Sequence, residues 1–168
     1  MSTAEHREKA RGQSAACAVL TISDTRTIAN DEGGRIVRER LIAAGHHVLH
    51  QTIVRDDPDA IDLRLRSWLA EPGLDVICCT GGTGIARRDT TIEVVRKLLD
   101  KELEGFGELF RMLSYEQVGP AAMLSRAVGG LSGETLVFAM PGSVNAVTLA
   151  TEKLIVPELP HLVWERRR

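Results

Sequence analysis

The apolar positions of the chain fall into short continuous runs that alternate with stretches of helical spacing. Ala15 to Ser23 is a continuous apolar run, the signature of a central strand buried on both faces. From Glu32 a helical period sets in, with Ile36, Val37, Leu41 and Ala44 on one face and Gly45 as C-cap. Val48 to Val54 is a second strand, less apolar than the first and so nearer an edge. Pro58 suits a helix first turn, Ile61, Leu65, Trp68 and Leu69 give that helix its apolar face, and Glu71-Pro-Gly73 stops it. Val76 to Cys79 is a third strand, bounded by Gly73 and Gly81. Ile92, Val95, Leu99 and Leu103 mark the next helix, with Thr90 and Glu93 at capping-box spacing. Phe106, Leu109, Phe110 and Leu113 form a further helical stripe, and Pro120 to Leu131 reads best as a short helix. Glu134 to Met140 is a fourth strand, and Val144 to Val156 a last helix, with Val147, Leu154 and Ile155 inward and Pro157 and Pro160 ending it.

Repeated strand–helix alternation predicts an α/β fold, a three-layer sandwich with a mostly parallel central sheet. Residues 1–14 are polar and mixed in charge and read as a flexible N-terminal tail, 15–163 as a single α/β domain, and 164–168 as a basic, solvated C-terminal tail. In a parallel sheet the polar segments after the four strands meet at one edge. These segments are 23–26, 55–57, 80–91 and 141–143, and together they predict one composite site.

The richest of these segments is Thr80-Gly-Gly-Thr-Gly84 followed by Arg87, Arg88 and Asp89. Three glycines in four positions bare the backbone N–H groups, which can line an anion-binding nest. No Gly-Lys-Ser/Thr follows, so this is no Walker A loop, and the dinucleotide pattern Gly-x-Gly-x-x-Gly is absent. Asp56 and Asp89 are candidate ligands for magnesium, which takes hard oxygen donors and needs only one or two carboxylates beside substrate phosphate. Asp56 could instead cap the helix before Pro58, a role that Asp57 fits better; Asp89 could be a turn residue, and Arg87 and Arg88 a solvated pair. Ser114 is either a capping hydroxyl or a ligand contact, Glu108 a solvated helix residue or a site residue, and Ser143 an N-cap or a site residue.

Composition narrows the function. The formal charge of −2 over 168 residues argues against a general nucleic-acid binder, and no apolar run is long enough to span a bilayer. Cys17, Cys78 and Cys79 lack metal-ligand spacing and read as buried, reduced thiols of a cytoplasmic protein. The five histidines (6, 46, 47, 50, 161) show no zinc spacing, and no nucleophile elbow is present.

Five ordered motifs then stand together: Thr80-Gly-Gly-Thr-Gly84, Arg87-Arg-Asp89 with Thr91, Gly105-Phe-Gly-Glu-Leu-Phe-Arg-Met-Leu-Ser114, Leu124-Ser-Arg-Ala127 and Met140-Pro-Gly-Ser143. With the strand end at Ser23 and Asp24 they resemble the molybdenum cofactor biosynthesis B/Mog family, over about residues 15 to 163, and the blocks 106–114 and 138–143 look closest to its B branch. The resemblance implies a molybdopterin-binding fold. It also implies Mg²⁺-dependent transfer of AMP from ATP to molybdopterin, giving adenylyl-molybdopterin and pyrophosphate, or, in members that have lost activity, a non-catalytic carrier or assembly partner. By motif match the two acids of active members fall on Asp56 and Asp89. The glycine loop falls on Thr80, Gly81, Gly82, Thr83 and Gly84, and Ser23, Asp24, Arg87, Arg88, Glu108, Ser114, Pro141, Gly142 and Ser143 complete the candidate substrate site. A homo-oligomer, trimer or hexamer, is implied, as is room for a molybdenum-insertion partner protein; the stripe from Phe106 to Leu113 is the expected interface. One departure is Ile92, where the family usually has proline.

Overall fold

The structure, a computed structural model, describes residues 2–167. The six strands are β1 (Ala16–Ile22), β2 (His47–Val54), β3 (Val76–Thr80), β4 (Lys101–Glu102), β5 (Val128–Ser132) and β6 (Thr135–Met140), in the spatial order β2-β1-β3-β6-β5-β4. The helices are α1 (Thr3–Ala10), α2 (Glu32–Ala43), α3 (Pro58–Leu69), α4 (Thr91–Leu98), α5 (Glu104–Val118), α6 (Val144–Ala150) and α7 (Val156–Arg166).

Strands β2, β1, β3 and β6 run parallel, whereas β5 is antiparallel to β6 and β4 to β5. Alternate residues of each central strand serve opposite layers. Cys17, Val19, Val76, Cys78, Leu136 and Phe138 pack against Val37 and Leu41 of α2, Phe110 of α5, Val147 of α6 and Leu159 of α7. Ala18, Leu20, Ile77, Cys79 and Val137 face the other way, onto Ile61, Leu65 and Trp68 of α3 and Ile92 and Val95 of α4. Cys78 and Cys79 thus enter different layers. The less apolar β2 does lie at an edge. The chain leaves β1 toward β2 and then crosses back over to β3, so β1 and β3 flank a topological switch point, where open α/β sheets bind ligands. Register brings the strand ends level: Ile22 pairs with Val54, Thr21 with Thr80, and Thr80 with Met140.

Several expectations are corrected. The N-terminal segment is not a bare tail: α1 starts in a Ser2–Glu5 capping box and packs on α7, with an Arg7–Glu158 ion pair at 2.7 Å. Thr90 and Glu93 form no capping box; Thr90 makes no side-chain cap and Glu93 pairs with Arg126 at 2.5 Å. The helix after the glycine loop ends at Leu98, because Leu99 and Leu103 pack into opposite layers, with β4 between them. The span 120–131 holds a 3₁₀ turn (Gly119–Leu124) and then β5, which returns as a hairpin with β6. Pro157 and Pro160 do not end the last helix. A π-helical turn over Thr151–Ile155, with the Val156 N–H donating to the Thr151 carbonyl, sets the missing N–H of Pro157 in the first turn of α7. Burial of Leu159 and Val163 carries the helix past Pro160. Arg166 is no solvated end: its guanidinium is buried against the Asp75 carboxylate, and Arg167 adds a second contact at 3.0 Å.

Candidate functional site at the carboxyl edge of the sheet

The turn after β1 is set by Ser23, whose hydroxyl accepts from the N–H groups of Thr25 (3.2 Å) and Arg26 (3.1 Å). The turn after β3 is set by two glycines. Gly81 has φ +93° and a Cβ there would lie 2.4 Å from the Ile22 carbonyl oxygen; Gly82 has φ +63° and a Cβ there would lie 2.4 Å from Thr91 Oγ1 and 3.1 Å from Asp56 Oδ1. Neither position tolerates a side chain in that backbone conformation at that distance. The Gly81 N–H donates to the Met140 carbonyl at 3.0 Å, carrying the β3–β6 ladder one residue into the loop. Pro141 and Gly142 follow β6, with Gly142 against the Gly81 backbone, and Ser143 caps α6 through the Ala146 N–H.

These turns enclose a cavity of about 190 Å³ lined by Thr21, Ser23, Arg26, Asp31, Gly33, Thr80, Gly81, Gly142 and Ser143. At its floor Asp31, 4 % exposed, accepts from the Thr21 hydroxyl at 2.5 Å and from the Gly34 N–H at 3.0 Å, and the Thr80 hydroxyl donates to Thr21 at 3.3 Å. Asp31 is the N-cap of α2, so its charge meets the positive end of that helix. The first turns of α2 and α6 and the Gly81 and Gly142 backbone border this space, whose lining holds the Asp31 and Glu32 carboxylates and the Arg26 cation.

On the opposite face of the sheet, where α3 and α4 begin, lie the acids. The Asp56 N–H donates to Asp24 Oδ1 at 3.1 Å, and the other Asp24 oxygen pairs with Arg88. Asp56 Oδ1 and Thr91 Oγ1 are buried and have no hydrogen-bond partner. Burial raises the Asp56 carboxyl pKa, and the negative charge of Asp89 raises it further. Asp89 is held by its own turn: its Oδ2 accepts from the Ala86 N–H and its N–H donates to the Ala86 carbonyl, both at 2.9 Å. Gly84 lies against this carboxylate and Thr83 is buried. An orphaned carboxylate oxygen beside a second carboxylate is an all-oxygen donor set that a hard dication satisfies, so Asp56 and Asp89 fit magnesium.

The structure therefore separates the residues read from the sequence into three groups. Ser23, Thr80, Gly81, Gly142 and Ser143 line the cavity; Asp24, Asp56, Gly82, Arg88 and Asp89 form the charged cluster beside it. Glu108 is exposed and Ser114 buried on α5, outside the cavity lining, and Arg87 is exposed with no ion pair among the described residues. Asp57, not Asp56, caps α3, accepting from the Ala60 N–H at 2.9 Å. Asp31 and Thr21 were missed in the sequence; the one signal was an Asp directly before the first periodic residues of α2.

A mostly parallel α/β sheet with a glycine turn at its switch point, flanked by a carboxylate pair, has the architecture of a ligand-binding α/β domain. Residues 18–161 match the family model described as "Probable molybdopterin binding domain". A molybdenum cofactor biosynthesis protein B of Staphylococcus carnosus is 54% identical over 168 residues, 98% of each chain. A crystal structure of a molybdenum cofactor biosynthesis protein B superposes with TM-score 0.90 at 50% identity, over 93% of this chain and 98% of that one. The tungsten cofactor synthesizing protein MoaB from Pyrococcus furiosus superposes with TM-score 0.83 at 40% identity, over 93% of this chain and 99% of that one. The chain belongs to the molybdopterin-binding domain family of molybdenum cofactor biosynthesis proteins.

Proposed function

We propose that this protein is a molybdopterin adenylyltransferase of molybdenum cofactor biosynthesis. The observation that carries the reading is the unpartnered Asp56 oxygen beside Asp89, against the glycine turn at the switch point. In the reaction the terminal phosphate oxygen of molybdopterin attacks the α-phosphorus of ATP. The bond from the α-phosphorus to the bridging oxygen of the β-phosphate breaks, and pyrophosphate leaves. Such transfers depend on positioning and charge neutralisation. Asp56 and Asp89 would hold magnesium, which when bound offsets the phosphate charge. A phosphate would sit beside the Gly81 turn, where Arg26 adds a cation in the cavity lining. Asp24 keeps Arg88 in place and orients Asp56 through its N–H.

Phe106 and Phe110 of the expected stripe are buried in the core and Leu113 packs against it, so a homo-oligomer, trimer or hexamer, would close instead through the apolar residues left exposed on α5 and the turn after it, Leu109, Met112, Tyr115, Val118, Met123 and Leu124. Among the described residues no helix is long and apolar enough to cross a membrane.

One observation favours a second reading, a non-catalytic molybdopterin carrier. Arg88, next to Asp89 in the chain, is already paired with Asp24. Mass spectrometry of the pterin after incubation with ATP and Mg²⁺ separates the two. Adenylyl-molybdopterin establishes the transferase; unchanged pterin that nevertheless binds the protein establishes the carrier.

A further inference from the structure

We propose that His6, His161 and Glu165 form a binding site for a zinc-class transition-metal dication that staples α1 to α7. The helix α1 is polar all round and buries only Ala10. Eight residues of that composition do not hold a helix in water alone, so its docking on α7 depends on specific contacts. Those contacts centre on His6, whose ring lies 5.0 Å from Trp164 and 5.9 Å from His161, centroid to centroid.

The donor atoms converge. His6 Nδ1 lies 3.4 Å and His161 Nε2 3.8 Å from the same oxygen, Glu165 Oε2, and one donor atom of each of the three residues lies within 4.8 Å of the other two. Ligands about 2.0–2.1 Å from a tetrahedral zinc stand roughly 3.3 Å apart, so little movement closes the set. His161 Nε2, the nitrogen that faces Glu165, is buried without a hydrogen-bond partner. His161 is held from behind: Nδ1 lies 2.5 Å from Glu158 Oε1, which leaves Nε2 turned toward the Glu165 carboxylate. A dication between Nε2 and the Glu165 carboxylate would take the place of the proton that an imidazolium–carboxylate pair carries there. Glu158 is itself held by Arg7 at 2.7 Å, which completes the carboxylate–histidine support that metal sites carry behind their ligands. Two imidazole nitrogens and one carboxylate suit Zn²⁺, Co²⁺ or Ni²⁺ rather than Mg²⁺, in contrast to the all-oxygen pair Asp56–Asp89. Zinc-type spacing is invisible along the sequence because the ligands come from helices at opposite ends of the chain. Arg7 and Glu158 also line the apolar groove of about 730 Å³ between α5 and α7, so the bound ion would fix one rim of that groove.

The test uses the full chain, stripped with chelator and held in excess Mg²⁺. Zn²⁺ alone is titrated by calorimetry, and Co²⁺ by visible absorption. The expected result is one ion per chain and a rise in Tm. His6→Ala and Glu165→Gln should each weaken binding at least tenfold, and Glu158→Gln, which removes support only, about tenfold. His6 lies outside the sheet, and circular dichroism checks that its variant folds. Absence of saturable binding below about 1 mM Zn²⁺ would overturn the proposal. So would binding that persists in His6→Ala and disappears in Asp89→Asn.

Discussion

Gly82→Ala places one methyl group between the two unpartnered oxygen atoms of the site. At φ +63° the new Cβ would sit 2.4 Å from Thr91 Oγ1 and 3.1 Å from Asp56 Oδ1. The left-handed backbone costs a non-glycine residue about 1–2 kcal/mol. The contacted atoms belong to side chains rather than backbone, but Thr91 is short, β-branched and fully buried, so its displacement adds to that cost. For a chain of this size the backbone cost alone lowers Tm by about 2–8 °C. The functional loss is larger, because Asp56 is displaced by several tenths of an ångström, and misplacement on the order of 1 Å costs about 100-fold in rate. Pyrophosphate release under saturating Mg²⁺ measures the activity, and differential scanning calorimetry the stability. Gly81→Ala is the contrast: its Cβ would meet the Ile22 carbonyl oxygen at 2.4 Å, a backbone atom that cannot rotate away, so stability should fall more steeply there. Full activity in Gly82→Ala despite the stability loss would refute the placement of Asp56 and Thr91 in the site.

Asp56 has a raised pKa, so its ionised form costs folding stability: the contribution is favourable below the ordinary carboxylate pKa and lost as pH rises through the folded value. At neutral pH Asp56→Asn should therefore raise the Tm of the metal-free protein, abolish turnover and remove the stabilisation that Mg²⁺ gives the wild type. Asp31→Ala removes the α2 cap and leaves the buried Thr21 hydroxyl proton without its acceptor, and urea unfolding should show a loss of about 2–3 kcal/mol. Burial pushes the thiols of Cys17 and Cys79 up to about 12, and Cys78 well above its ordinary value, with Asp75 adding to the shift at Cys17 and neighbouring thiols at Cys78. All three should resist alkylation at neutral pH in the native protein and react once it is unfolded.

The central sheet was legible because β1, β3 and β6 are uninterrupted apolar runs, which only strands buried on both faces need. The edge position of β2 was legible from its His and Gln residues. The gathering of the strand-end segments at one sheet edge followed from parallel topology alone, though not their division between its two faces, and the choice of Asp57 over Asp56 as cap followed from the helix start at Pro58. What stayed hidden has physical causes. In β5, Gly129 and Gly130 dilute the strand signature, and β4 is two residues long. In α1 the capping box at Ser2 and Glu5 was present, but no apolar period accompanied it. Arg166 looked solvated because Asp75, which neutralises it, lies 91 residues away. Asp31 looked like loop because its partners, Thr21 and Gly34, are joined to it only when β1 and α2 pack.

The measurement that tests the central claim most directly is a paired one on Asp89→Ala: pyrophosphate release with molybdopterin, ATP and Mg²⁺, and molybdopterin affinity by fluorescence. The account predicts that the wild type releases pyrophosphate only when pterin is present. It predicts that the variant loses turnover by at least about 100-fold while its pterin affinity stays nearly intact. Equal loss of turnover and pterin affinity, or turnover unchanged, would contradict a catalytic role for the acid pair.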